Sequence, residues 1–196
     1  MLKKLILIVA LIWAGPALAG DKALTTADAK KFTASLPAAT ELGEGFKEKG
    51  VDLFNSTEPK LAADGTFKPY STLLLEMKDA HPAEYRQVNA MAKSAKFSNA
   101  VEWASVGDRV MLAYIADKMP PNAGAMMSAM TPEMMAMMPP ETRAKLETSK
   151  AVMSAVDNVP QADKDALEPV MADLDAALMA AGQSAGAFDP MSSMQQ

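Results

Sequence analysis

Between Thr25 and Gly182 apolar residues recur three and four positions apart, and nowhere does a strict alternation of apolar and polar residues last long enough to make a strand. Such a chain is confined to helices that each bury one stripe against their neighbours. The expected fold is therefore all-α, a single domain of six or seven helices with a long loop after the second helix. Caps and breakers set the boundaries. Thr25-Thr26-Ala27-Asp28 reads as a capping box opening a helix that carries Phe32 and Leu36 and stops at Pro37. A second helix, Ala38 to about Lys49, carries Leu42 and Phe46 and stops at Gly50. Val51 to Tyr70 is the loop, with turn chemistry at Asn55-Ser56-Thr57-Glu58-Pro59 and at Asp64-Gly65. Ser71 to Ala80 and Ala83 to Lys96 are two further helices, separated by His81-Pro82.

Asn99 and Glu102 make a capped start to the clearest helix, which places Trp103, Val106, Val110, Ala113 and Tyr114 on one face before Pro120-Pro121 ends it. Gly107 sits inside it at a cost of about 1 kcal/mol relative to alanine. Either a partner helix approaches closely there or the cost is merely tolerated. Glu141 to about Val156 is amphipathic through Leu146, Met153 and Val156. Pro160 starts a last helix carrying Leu167, Met171, Leu174 and Leu178, closed by Gly182, and Pro169 inside it is expected to kink or divide it. The helical domain spans residues 20–182, and residues 183–196 read as a flexible C-terminal tail.

The first nineteen residues stand apart. Lys3 and Lys4, an apolar run from Leu5 to Trp13, and Ala17-Leu18-Ala19 form the pattern of a secretory signal peptide, with cleavage expected before Gly20. The apolar run is short for a bilayer span, so no stable membrane anchor is expected after cleavage, and the product is periplasmic or secreted. The chain carries a formal charge of -5, and the leader removes two lysines and no acid, so the mature protein is more acidic still. That charge repels phosphate backbones, and no basic stripe interleaved with aromatics occurs, so nucleic acid is not an expected partner. Cysteine is absent and His81 is the single histidine. Zinc fingers, iron–sulfur clusters, cysteine nucleophiles and multi-histidine metal sites are thereby excluded.

Glu102-Trp103-Ala104-Ser105-Val106-Gly107-Asp108-Arg109-Val110-Met111-Leu112-Ala113-Tyr114 resembles a segment of uncharacterised small exported all-helical proteins of proteobacteria. Val159-Pro160, Glu168-Pro169 and Leu174-Asp175 are similar to a second such segment. The resemblance covers about half of the mature chain. It implies an exported helical protein and carries no catalytic motif.

The chemically unusual stretch is rich in methionine. Met126, Met127, Met130, Met134, Met135, Met137 and Met138 fall within thirteen residues, with Met119 just upstream. On a continuous helix Met126, Met130, Met134 and Met137 would share one stripe, although Thr131-Pro132 favours two short pieces. Polarizable, adaptable thioethers suit a contact surface for an unidentified protein or apolar ligand, and all eight methionines are candidates for it. Thioethers also select Cu(I) or Ag(I), so Met126, Met130 and Met134 are the alternative metal site, with copper(I) as its cofactor. Sacrificial oxidation and simple gap filling in the core are the remaining readings.

The other polar candidates are weaker. His81 reads as a helix terminator before it reads as a copper ligand. Asp163 with Asp165, and Asp173 with Asp175, lack the spacing of a calcium loop and are expected on a solvated face. No nucleophile elbow, phosphate-cradling glycine loop or candidate carboxylate pair appears. The expectation is a non-enzymatic binding protein with no cofactor.

Overall fold

The computed structural model describes residues 23–51, 61–119, 137 and 139–182. Its helices are α1 (Thr26–Glu48), α2 (Pro69–Ala80), α3 (Pro82–Ser94), α4 (Ala100–Lys118), α5 (Pro140–Asp157), α6 (Gln161–Leu167) and α7 (Met171–Ala180), with a 3-10 turn at Glu168–Val170. No strand occurs among the described residues; an isolated antiparallel bridge joins Leu61 to Phe67 around the turn at Asp64-Gly65. The all-α expectation holds. Residues 1–22, 52–60, 120–136, 138 and 183–196, and with them the expected leader and tail, lie outside the described residues, and no described helix is long and apolar enough to cross a membrane.

Proline did not act everywhere as the sequence suggested. Pro37 lies inside α1, so the two helices expected on either side of it are one helix of 23 residues. Pro37 itself is exposed, whereas Phe32 and Leu36 before it and Phe46 after it are buried in a common core. Burial of that continuous stripe offsets the missing backbone donor and the ring's clash one turn back. Pro69, Pro82 and Pro140 instead occupy first helical positions, where no N–H is needed. At Pro169 the chain tightens into the 3-10 turn that separates α6 from α7, the expected division.

Helix ends follow local chemistry closely. The Thr25 hydroxyl accepts from the Asp28 N–H at 3.1 Å, and the Asn99 side chain accepts from the Glu102 N–H at 2.9 Å. Glu102 in turn accepts from the Ser98 N–H, which holds its carboxyl below the usual range. At the far end of α1, Gly50 adopts φ 77° while the Gly50 and Val51 N–H groups return to the Lys47 and Phe46 carbonyls. The end of α3 makes the same closure with a lysine: Lys96 has φ 68°, and the Lys96 and Phe97 N–H groups bond the Lys93 and Ala92 carbonyls. Phe97, buried at 4% exposure, anchors that strained turn.

α4 occupies the centre, touching α1, α2, α3, α5 and α6. Its burial is wider than the single face expected. Trp103, Val110, Ala113 and Tyr114 are buried as predicted, but so are Ala104, Met111 and Ile115, whereas Val106 is only half-buried. A helix touched on most sides buries more than one stripe. Gly107 resolves in favour of close approach. A Cβ built there would lie 2.5 Å from Cε2 of Phe32 and 3.1 Å from Cδ2 of Tyr70. The rings of Phe32, Tyr70 and Trp103 meet above it with centroids 5.3 to 5.5 Å apart. A second, smaller cluster joins Phe67 and Ile115 to Val152 and Val156 of α5.

Two stability measurements check this account. Gly107→Ala should lower stability by about 1 to 3 kcal/mol in urea unfolding, because overpacking against two rings outweighs the gain in helix propensity. Lys96→Gly should raise stability by about 1 kcal/mol, because glycine adopts the left-handed conformation without a Cβ penalty.

Candidate functional site

Of the methionines expected to form the contact surface, two lie among the described residues. Met119 follows the end of α4 and is half-buried against the cluster of Phe67, Ile115, Val152 and Val156. Met137 is 88% exposed. Met126, Met127, Met130, Met134, Met135 and Met138 lie outside the described residues, and with them the alternative metal site of Met126, Met130 and Met134. His81 joins two helices through its backbone, its N–H bonding the Met77 carbonyl at 2.8 Å and its carbonyl accepting from the Tyr85 N–H at 2.9 Å.

The aspartates depart from expectation. Asp165 and Asp173 are exposed, but Asp163 is 2% exposed and takes a two-pronged ion pair from Arg109, with Nε at 2.8 Å from Oδ2 and Nη2 bonded to Oδ1. The fork fixes α6 to α4 by direction as well as charge. Asp175 is half-buried, accepting from the Tyr114 hydroxyl at 2.7 Å and from Lys118 Nζ at 3.0 Å. These two bonds lower the Asp175 carboxyl, while burial first and then Asp175 push the Tyr114 phenol up to about 12. Sequence spacing alone put these acids on a solvated face. Their partners on α4 lie 54 to 61 positions away in the chain, beyond any local pattern.

Sequence reasoning missed Asp108 altogether. It is 4% exposed on α4, and one of its oxygens accepts from the Tyr70 N–H at 2.7 Å while both accept from the Ser71 N–H at 3.3 Å. Lys68, the residue preceding α2, makes no side-chain cap. Asp108 therefore supplies from another helix the hydrogen-bond acceptor that the first turn of α2 lacks. Burial, the largest influence, pushes its carboxyl up to about 6, against the opposing pull of Ser71, Tyr70 and Lys68. One signal was available in the sequence: Ala104, Met111 and Leu112 stand at its helical neighbour positions, so its surroundings are mainly apolar.

Beside this cap runs an apolar slot. Ala39, Leu42, Gly43 and Phe46 of α1 face Tyr70, Leu73, Leu74 and Met77 of α2, and Val88, Met91 and Trp103 complete the walls. Each of the two main walls follows the i, i+3, i+4, i+7 stripe of one helix face. The void between them is about 30 Å³. Its lining offers apolar contact and hardly any polar group, and a void of that size is a gap in the packing between the two helices.

Comparison with known protein families, curated proteins and solved structures found no match to this chain.

The Arg109–Asp163 pair gives a direct test. Asp163→Asn should cost about 3 to 5 kcal/mol in urea unfolding, because it removes the carboxylate charge that the largely buried Arg109 guanidinium grips with two bonds. Asp165→Asn, on the exposed side of the same helix, should change stability by less than about 0.5 kcal/mol.

Proposed function

We propose that this chain is a non-enzymatic binding protein, periplasmic or secreted, that uses the methionine-rich stretch from Met119 to Met138 as an apolar contact surface. The observation that carries this reading is Met137, 88% exposed just before the start of α5. A large thioether side chain left in water amid six further methionines within thirteen residues is a source of apolar contact area with many accessible rotamers. Met119 supports the reading from the other end, because its seat on Phe67, Ile115, Val152 and Val156 ties the stretch to a small apolar cluster between α4 and α5. The partner implied is an apolar ligand or the apolar face of another protein, and the acidic charge of the chain disfavours nucleic acid.

An apolar fluorescent dye such as bis-ANS provides the test. The chain should bind the dye, and replacing the seven methionines from Met126 to Met138 by glutamine should weaken binding at least about fivefold with the helical circular-dichroism signal retained, since each replacement removes apolar contact area. Unchanged dye binding in that variant would overturn the reading. An anaerobic Cu(I) titration separates the metal alternative. Tight binding that disappears when Met126, Met130 and Met134 become leucine would assign these sulfurs to soft-metal coordination, because leucine keeps the bulk and apolarity and removes the ligand atom.

A further inference from the structure

Asp108 stands where two requirements conflict. The first turn of α2 needs an acceptor, and Asp108 satisfies the Tyr70 and Ser71 N–H groups from across the helix interface. Meeting that need keeps a carboxyl at 4% exposure, where its charged form forgoes most of its hydration. The residue it holds most closely is also a structural corner. Tyr70 forms one wall of the apolar slot and packs edge-on against both Phe32 and Trp103.

We propose that Asp108 is a proton-controlled latch on the start of α2, and that releasing it opens the apolar slot between α1 and α2. The mechanism is a difference in hydration. A neutral Asp108 is tolerated in place, still accepting through its carbonyl oxygen, whereas a charged Asp108 recovers water when residues 69–71 lift away. Lifting them carries Tyr70 out of the slot wall. Proton loss therefore favours the open arrangement.

The surrounding charges leave this sense intact. On the α2 side Lys68 attracts the carboxylate, the Tyr70 and Ser71 N–H groups bond it, the Ser71 side chain also favours its charged form, and the Tyr70 phenol is itself pushed up by burial and by Asp108. On α4 the neighbouring Arg109 is engaged with Asp163 of α6. No titratable side chain of α1, α3 or α5 among the described residues bonds to Asp108. Burial outweighs the opposing attractions and raises the carboxyl to about 6 from an ordinary value of 3.8. With a raised value in the closed form, the latch is firmest below pH about 4 and weakens as pH rises through about 6.

Hydrogen exchange of the backbone amides tests the proposal. After correction for intrinsic exchange rates, the amides of Thr72, Leu73 and Leu74 should open about tenfold or more often at pH 7 than at pH 4.5. Amides in the middle of α5 should show no parallel change. Asp108→Asn, which keeps an acceptor and cannot titrate, should abolish the pH dependence. In the chain beginning at Gly20, where Trp103 is the sole tryptophan, acrylamide quenching should rise over the same interval. Equal pH dependence in Asp108→Asn, no pH dependence in the unsubstituted chain, or parallel changes throughout α5 would each overturn the latch. If Asp108→Asn does not fold, carbon NMR of the Asp108 carboxyl in the unsubstituted chain decides together with the exchange data: opening at Thr72 to Leu74 that rises as this carboxyl loses its proton supports the latch, and opening that does not follow its titration overturns it. None of these readouts involves the methionine stretch.

Discussion

The approach of Phe32 to the backbone at Gly107 fixes where the helices of this protein meet. Without a side chain at position 107, α1 and α2 can both bring an aromatic ring against α4, and Trp103 of α4 completes the group. Those rings settle the spacing of three helices at once. The Trp103 indole N–H donates to the Ser35 hydroxyl at 2.8 Å, so the polar edge of the largest side chain is satisfied inside the same contact. Apolar packing sets the distance here, and one directed bond sets the rotation.

Around that centre, polar interactions serve as locks between helices. Asp108 binds α2 to α4, the Arg109–Asp163 fork binds α6 to α4, and Asp175 gathers Tyr114 and Lys118 so that α7 is tied to the far end of the same helix. All three use α4 residues in the run from Asp108 to Lys118. Apolar stripes slide with little change in energy, because one leucine resembles another, whereas a bond between two named groups exists in one register. A bundle without disulfides gains its uniqueness of register from such pairs.

How much of this was legible in the sequence depends on the range of each interaction. Helix class and most boundaries rest on contacts within four residues, and the caps at Thr25 and Asn99, the closure at Gly50 and the division at Pro169 all follow from local chemistry. Pro37 misled because its local penalty is outweighed by a stripe running from Phe32 to Phe46, whose burial depends on helices distant in sequence. Asp163 misled for the same reason in reverse: its exposed neighbour Asp165 shares its chemistry, and only the position of Arg109 separates them. The slot requires α1 and α2 to face one another across α3 and α4, an arrangement that no spacing within either helix encodes. The methionine stretch is conspicuous by composition alone, which names its chemistry without fixing its geometry.

The packing of α1 also has a consequence in time. Its neighbours include α6, the 3-10 turn and α7, so the first helix of the domain is covered in part by the last. When Phe32 and Leu36 have been synthesised, more than a hundred residues must still follow before Leu174 and Leu178 exist. At about 5 to 20 residues per second that interval is on the order of ten seconds. The nascent chain therefore passes through a long stage in which its leading helix has no complete place to dock, and final closure of the domain waits for its C-terminal end.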